Sequence, residues 1–229
     1  MPPRSPISSS AARPRDEARA VFRRAILDAA EAVFAERGFH AARIQDVAER
    51  AQIAVGTVYN HFAQKEDVLL ALFTERMRDM HAELVAEPSP PEAFADRLLH
   101  WLTRMLRFVD RHRSFFAVAS EHGLTAPRPP SATEAIFGDA RPFERIDADF
   151  RSLVRDGVAE GAIAGDARLL TRFLVGTIHA IVFGAVADGR ARIEDEAPRI
   201  AALFLRGALA RPGEPPPAKR SPRPKRAAR

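Results

Sequence analysis

Arginine, amide, hydroxyl and imidazole side chains crowd into the stretch from Arg43 to Lys65, which carries the densest surface chemistry in the chain. Cations and small polar groups of this kind contact the phosphates and base edges of DNA. The candidate contact residues in this stretch are Gly56, Thr57, Tyr59, Asn60, His61 and Lys65. Their density predicts a surface that binds double-stranded DNA.

Two short amphipathic helices must position these side chains. Apolar residues recur every three or four positions on each side of a break near Gln52 and Ile53, which is the helical period. They are Ile44, Val47, Ala48 and Ala51 before the break and Val55, Val58, Tyr59 and Phe62 after it. This pattern predicts a helix-turn-helix, whose second helix enters the major groove while the first lies across the backbone. The alternative is a helical hairpin in an ordinary all-α core.

The segment GFHAARIQDVAERAQIAVGTVYNHFAQKEDVLLALF resembles the DNA-binding region of TetR-family transcriptional regulators. The residues that carry the resemblance are Gly38-Phe39, Gly56-Thr57-Val58-Tyr59, His61-Phe62 and Lys65-Glu66. The resemblance implies that Gln45, together with Val55, Gly56 and Thr57 at the start of the second helix, faces base edges. It also implies that Tyr59, His61 and Lys65 hold phosphates.

Three positions depart from the family pattern. Ala42-Arg43 stands where the family commonly has two hydroxyl residues, Gln52 where it has the turn glycine, and Ala54 where serine is common. Because Arg and Ala do not cap a helix, we expect each helix start to lose about 1 kcal/mol of capping. It stays open whether Arg43 replaces the lost hydroxyl contact with a charged one.

Helical periodicity outside this stretch predicts an all-α fold of about nine helices. Beyond the two short helices, the predicted spans are 16–37, 64–86, 91–112, 114–122, 142–160, 166–188 and 194–210. Asp16 and Asp166 are expected to cap helices, and Gly38 is expected to end the first one in the left-handed conformation. The first helix then covers the back of the helix-turn-helix, which makes a three-helix DNA-binding domain.

The helix pattern and the composition of the ends divide the chain into domains, and the resemblance implies the roles of the two helical domains. Residues 16–63 form the DNA-binding domain, and residues 64–210 form a helical ligand-binding and dimerisation domain. The ends, 1–15 and 211–229, are rich in Pro, Ser, Lys and Arg and are expected to be disordered. The net charge is +5, and both ends are basic while the body between them is not. Such tails suit polyanion binding and equally suit solubilising ends.

Aromatic and methionine side chains cluster on the fourth to seventh predicted helices and the loop between them. Flexible Met and flat rings commonly line adaptable apolar pockets, although most of these residues must be ordinary core. In TetR-like proteins these helices enclose a ligand cavity, so the resemblance implies a small apolar or aromatic effector. The candidate lining residues are Trp101, Met105, Phe108, His112, Phe115, Phe116, Phe137 and His179.

A stripe of small residues marks the eighth predicted helix. Gly176, Ala180 and Gly184 recur every four residues, which lets another helix approach closely, and the last helix adds Leu203 and Gly207. Periodicity alone leaves open whether these helices are core or a self-association surface. The resemblance implies that they form the dimer interface, and a two-fold homodimer suits two half-sites of a palindromic operator roughly 34 Å apart.

Several functions find no support in the sequence. The chain has no cysteine, which excludes disulfides, thiol catalysis and Cys-based zinc sites. No catalytic motif, cofactor-binding loop or metal-ligand spacing is visible, so we expect no enzyme, no cofactor and no metal site. No secretory signal is visible, and the apolar stretch 173–187 is shorter than a membrane span of about 20 residues. We therefore expect a cytoplasmic protein that does not enter a membrane.

Together these features predict a ligand-responsive DNA-binding regulator. The expected form is a homodimeric repressor that a small apolar or aromatic inducer releases from its operator. The alternative is a ligand-sequestering or non-specific nucleic-acid-binding helical protein whose basic tails bind the polyanion.

Overall fold

The computed structural model describes residues 14–86, 93–125, 136–137, 142–187 and 192–208. It divides into two compact units, Met1–Thr74 and Glu75–Arg229. Within the described residues the regular structure consists of nine α-helices and one short 3-10 helix, so the all-α prediction is confirmed. The boundary between the units falls inside the fourth helix, about ten residues after the predicted domain boundary.

The first unit contains three helices and the start of a fourth: α1 (Pro14–Arg37), α2 (Ile44–Arg50), α3 (Val55–Tyr59) and α4 (Lys65–Val85). Its core forms where α1 packs on α2 and α2 packs on α3. Large side chains from α1 and α4 fill this core, namely Ile26, Leu27, Phe34, Leu72 and Phe73, none of them more than 1% exposed. The predicted three-helix arrangement is therefore present.

The ends of α1 and α3 differ from their predicted positions. α1 begins at Pro14, two residues before the predicted cap Asp16, because proline is well suited to the first turn of a helix. Gly38 ends α1 with φ +74°, as predicted. α3 spans only Val55–Tyr59, since Asn60 closes it as the C-cap.

The second unit contains the rest of α4 and five further α-helices. They are α5 (Phe94–Arg111), α6 (Arg113–Glu121), α7 (Glu144–Ala159), α8 (Ala167–Ala187) and α9 (Ala197–Ala208), with a 3-10 turn at Glu194–Glu196. α5 packs on α6, α7, the 3-10 turn and α9, while α8 packs on α6, α7 and α9. A Cβ on Gly157 would lie 2.5 Å from the Phe94 ring, so only glycine allows α7 to approach α5 this closely.

Side chains cap two helices of the second unit. The Asp166 carboxylate accepts a hydrogen bond from the Leu169 backbone N–H at 2.8 Å, which confirms its predicted capping role. The Asp110 carboxylate on α5 accepts hydrogen bonds from the backbone N–H groups of Ile193 (3.0 Å) and Glu194 (2.8 Å). Asp110 thus fixes the start of the segment that leads into α9.

α8 requires a correction to the sequence analysis. Residues Ala167–Val186 are long enough and apolar enough to cross a membrane by length and composition, and in the part of the chain that the structure describes one helix meets this test. The helix starts before the apolar stretch 173–187 and includes Arg168 and Arg172, so its apolar span is longer than we expected. A core helix of a soluble protein passes the same test, and α8 packs on three other helices.

Some predictions fall outside the described residues. Residues 1–13 and 209–229, which contain most of both predicted tails, are outside, and so is most of the predicted loop between the helices 114–122 and 142–160.

Candidate functional sites

The crossing of α2 and α3 depends on three buried residues. Val47 and Val58 have no exposed surface and Ala48 is 1% exposed, so the two helices meet through small and β-branched side chains. All three belong to the apolar faces that the sequence pattern predicted for these helices. The packing leaves the opposite face of each short helix in solvent.

Gln52 controls the turn between α2 and α3. Its φ is +56°, which makes it the only non-glycine residue with positive φ in the described residues. The backbone N–H of Gln52 donates to the Glu49 carbonyl and that of Ile53 donates to the Ala48 carbonyl, both at 3.0 Å. This is a Schellman motif, whose left-handed position normally holds glycine. Gln52 therefore stands at the turn-glycine position of the family pattern with the backbone conformation that glycine adopts most easily.

The start of α2 lacks a side-chain cap from its own N-cap residue. Arg43 is exposed and has no acceptor to offer, whereas Asp46 accepts a hydrogen bond from the Arg43 backbone N–H at 2.9 Å. Arg37 holds the same carboxylate at 2.6 Å. The pKa of Asp46 is lowered, most by the backbone hydrogen bond from Arg43; burial opposes this, and Arg37 lowers the pKa further. The sequence analysis missed Asp46, although an acid three residues after an N-cap is the second half of a capping box.

The remaining predicted contact residues lie on the solvent side of this motif. Gln45, Gly56, Tyr59 and Asn60 are exposed, while Val55, Thr57 and His61 are half-buried. No atom lies within 4 Å of a Cβ placed on Gly56, so its backbone is open to a close approach. Ala54 provides no side-chain cap to α3, as expected.

The Lys65 ammonium contacts backbone carbonyls, whereas the sequence predicted a phosphate contact. Its ammonium donates to the carbonyl oxygens of Phe39 (2.6 Å), His40 (3.3 Å) and Ala42 (2.9 Å). An ammonium has three donors, so none is left for a phosphate. The nitrogen also lies 4.5 Å from the centre of the Phe39 ring. In this structure Lys65 stabilises the loop before α2, and the expectation that it binds phosphate directly is not met.

His61 follows α3 beside two arginines of α1. Its pKa is lowered, mainly by burial and further by the charges of Arg19 and Arg23. The Arg23 guanidinium carbon lies 5.6 Å from the centre of the Phe62 ring, and the rings of His61 and Phe62 are 6.2 Å apart. The cationic surface thus extends from the end of α3 onto α1.

Residues 26–72 match the description "Bacterial regulatory proteins, tetR family". These residues form a TetR-family domain. The match covers the last part of α1, the helix-turn-helix and the start of α4, which are the elements that carry the exposed polar residues. This chain is therefore a DNA-binding transcriptional regulator, and α3 is the second helix of its helix-turn-helix.

Two curated relatives extend the similarity beyond the first unit. The fatty acid metabolism regulator protein of Bacillus subtilis is 27% identical over 163 residues, which are 69% of this chain and 79% of the relative. The HTH-type transcriptional repressor KstR2 of Rhodococcus jostii is 25% identical over 192 residues, 80% of this chain and 88% of the relative. Both are transcriptional regulators rather than enzymes.

Solved structures show the same fold. FadR from Bacillus subtilis, solved in complex with stearoyl-CoA, has a TM-score of 0.67 at 22% identity and covers 80% of this chain and 98% of its own. FadR from Bacillus halodurans, a fatty acid degradation regulator, has a TM-score of 0.66 at 24% identity with the same coverages. These likenesses establish a TetR-type architecture for both units.

In the second unit, the structure brings together four of the residues expected to line a TetR-type effector cavity. The Phe108 ring lies 4.5 Å from that of His112 and 6.4 Å from that of Phe116, and the rings of Phe115 and Phe116 are 5.3 Å apart. This cluster forms where α5 meets α6. Met105, on α5, is also buried.

The other predicted lining residues lie elsewhere in the second unit. Trp101 is half-buried, and its ring packs 3.9 Å from that of Phe150 on α7. Phe137 is 9% exposed in the short described segment 136–137. His179 is half-buried on α8, which packs on α6, and burial lowers its pKa.

Asp147 on α7 is a titratable residue that was not predicted from the sequence. Burial raises the pKa of Asp147 on α7, and the charge of Arg151 opposes this only in part. No sequence signal marked Asp147, because its burial depends on tertiary packing. In the part of the chain that the structure describes, no group of three or more His, Asp or Glu side chains could hold a metal ion.

The small-residue stripe of α8 faces solvent. Gly176, Ala180 and Gly184 are exposed, and so is Gly207 on α9. Large apolar side chains accompany them, since Leu169 is 65%, Phe173 56% and Leu203 59% exposed. The opposite face of each helix is buried, with Leu174, Ile178 and Val182 on α8 and Ile200 and Phe204 on α9.

Proposed function

We propose that this TetR-family protein is a homodimeric repressor that binds a palindromic operator and is released from it by a small apolar effector. The observation that carries the proposal is the family match across residues 26–72 together with the exposed polar face of α2 and α3. Gln45, Gly56 and Thr57 read bases, while Arg43, Tyr59 and His61 hold phosphates. A DNA-binding regulator of this kind acts in the cytoplasm.

The exposed face of α8 and α9 supports the homodimer. On α8, Leu169, Phe173, Gly176, Ala180 and Gly184 share one side at helical spacing. Apolar side chains at the ends of a small-residue stripe favour close packing of another helix pair. A two-fold homodimer contains two copies of α3, one for each half-site of a palindromic operator.

Sedimentation velocity tests the interface. Leu203→Glu places a charge on the proposed contact, so we expect it to produce monomers and to lose operator binding. Val85→Glu is the matched control, because Val85 is 55% exposed on α4 and lies outside the α8–α9 face. Dimers that persist in Leu203→Glu would overturn this interface.

The aromatic cluster on α5 and α6 supports an apolar effector. Phe108, Phe115 and Phe116 offer ring faces to an acyl chain or an aromatic molecule. The similarity to a fatty acid metabolism regulator and to a structure that holds stearoyl-CoA favours the acyl class. An effector that binds the released state more tightly than the DNA-bound state shifts the population toward release.

Fluorescence tests effector binding, because Trp101 is the only tryptophan in the chain. We expect titration with long-chain acyl-CoA thioesters to change the Trp101 emission and to release bound DNA over the same concentration range. Free coenzyme A, which lacks the acyl chain, is the control. If neither acyl-CoA thioesters nor simple aromatic compounds change the emission, the effector proposal fails.

Electrophoretic mobility shifts on the DNA upstream of the protein's own gene test the repressor itself. A specific shift at moderate salt supports the proposal, and its absence overturns it. Thr57→Ala and Tyr59→Phe distinguish the alternative, in which basic tails bind DNA without sequence preference. That alternative predicts that both variants bind normally, whereas Arg→Ala changes in residues 211–229 abolish binding.

A further inference from the structure

The arginines of the first unit fall into two groups. Three are neutralised by carboxylates: Arg24 by Asp28 at 3.3 Å, Arg37 by Asp46 at 2.6 Å and Arg50 by Glu36 at 2.6 Å. Among the described side chains of this unit, Arg19, Arg23 and Arg43 form no ion pair with a carboxylate. Arg43 is already a candidate DNA contact, which leaves Arg19 and Arg23 without an assigned role.

Arg19 and Arg23 lie on one face of α1, because residues four apart are neighbours on a helix. Like charges at this spacing repel each other, so the pair is unfavourable for the free protein. The Arg23 guanidinium lies over the Phe62 ring, 5.6 Å from its centre, and this ring adjoins His61 at the end of the recognition segment. The arginine is therefore held beside the DNA-binding surface rather than extending freely into solvent.

We infer that Arg19 and Arg23, together with His61, form a phosphate-binding site on α1 for the backbone of the DNA that α3 reads. Guanidinium groups match the geometry of phosphate oxygens and hold them through paired hydrogen bonds. His61 follows α3 in the chain and Arg43 precedes α2, so the proposed phosphate contacts come from segments before and after the reading helix. This inference rests on the proposed function, since it requires that α3 reads duplex DNA.

Salt dependence of binding measures the number of phosphate contacts. The probes are a duplex that the purified protein selects from a randomised pool and an unselected duplex of the same length. In Arg19→Ala/Arg23→Ala, a dimer loses four contacts, so we expect the slope of log K against log salt to shrink by about 3 to 4. Affinity for both duplexes should fall by a similar factor, because phosphate contacts carry no sequence information.

A double variant with the same loss of charge provides the control. Arg24→Ala/Arg50→Ala also removes two cations from the first unit, but both are already paired with carboxylates. We expect its salt slope to stay within about 1 of the wild-type value. Arg19→Lys/Arg23→Lys keeps the charge and should retain most of the slope. Circular dichroism melting of each variant verifies that it is folded.

The outcomes separate this inference from the proposed function. A wild-type protein that selects no duplex from the pool overturns the proposed function and this site with it. If the wild type binds but Arg19→Ala/Arg23→Ala keeps the wild-type slope, only the α1 site is overturned. An equal loss in Arg24→Ala/Arg50→Ala also overturns it, because the effect would then be one of net charge.

Discussion

The ammonium nitrogen of Lys65 lies 2.6 Å from the carbonyl oxygen of Phe39, a residue 26 positions earlier in the chain. Two further carbonyls of the same loop accept hydrogen bonds from this nitrogen, and the Phe39 ring lies beneath it. The first turn of α4 thereby fixes the loop that leads into Arg43 and α2. Lys65 thus positions the first helix of the motif through the loop before it.

Replacement of Lys65 by Met tests this role. The variant keeps an unbranched side chain but leaves three carbonyls without their donor, and hydrogen bonds to a charged group contribute about 2 kcal/mol. We expect urea denaturation to show that the free energy of unfolding falls by about this amount. Arg50→Met is the control, because its ion pair with Glu36 is exposed on both sides and should contribute less than about 1 kcal/mol. Equal losses in the two variants would contradict the role of Lys65.

Features that depend on local periodicity could be predicted from the sequence, whereas contacts between distant residues could not. The order and type of the helices were predictable, because apolar residues at helical spacing reflect local geometry. The solvent-facing positions of Gln45 and Gly56 followed from the same periodicity. The hydrogen bonds of Lys65 and Asp110 were not predictable, since each bond joins residues far apart in the chain. The single-chain structure likewise leaves the α8 stripe exposed, and periodicity alone could not distinguish core from interface.

Gln52 provides a test of backbone strain. A left-handed conformation costs a non-glycine residue about 1 kcal/mol or more, while glycine adopts it freely but loses more entropy on folding. We expect Gln52→Gly to raise the free energy of unfolding by roughly 0.5 kcal/mol. Glu49→Gly, in the body of α2, should lower it by about 1 kcal/mol. A destabilised Gln52→Gly would show that the Gln52 side chain contributes more than the strain costs.

A substitution at Gly56 should affect stability and DNA affinity in opposite directions. A Cβ at this position meets no atom within 4 Å, and alanine is a better helix former than glycine. We therefore expect Gly56→Ala to be slightly more stable than the wild type, by roughly 0.5 kcal/mol, in thermal denaturation. The same methyl group obstructs close approach to DNA, so affinity for the operator should fall by about tenfold or more. Unchanged affinity would mean that the Gly56 backbone does not approach the bases.

Asp110 connects α5 to the start of α9. Its pKa is lowered although burial alone raises it, because Arg113 and the N–H groups of Ile193 and Glu194 favour the carboxylate. Asp110→Asn removes one acceptor and the charge, so we expect a less stable protein, by about 1 kcal/mol, and a weaker dimer in sedimentation equilibrium. The stability that Asp110 provides is present above the unfolded pKa and is lost as the pH falls through its lower folded pKa.

The matched control for this change is Asp156→Asn, on an exposed side chain of α7, which should alter the free energy of unfolding by less than about 0.5 kcal/mol. Stability that decreases equally in both variants would contradict a specific role of Asp110 at the start of α9.

We expect His61 to make DNA binding depend on pH. In the free protein, burial and then the charges of Arg19 and Arg23 lower its pKa, so the unfolded chain binds the proton more readily and stability decreases as the pH falls through the unfolded pKa. A bound phosphate neutralises the arginines and stabilises the imidazolium, which raises this pKa. Binding then takes up a proton, and operator affinity should increase between about pH 8 and about pH 6.

Fluorescence anisotropy of a labelled operator at several pH values checks this linkage. His61→Gln should flatten the pH dependence, whereas His40→Gln, on the exposed loop before α2, should leave it intact. In Arg19→Ala/Arg23→Ala, His61 binds its proton more readily before DNA arrives, so less proton uptake accompanies binding and the dependence should weaken. A pH dependence that is the same in the wild type and in His61→Gln would show that His61 does not approach a phosphate.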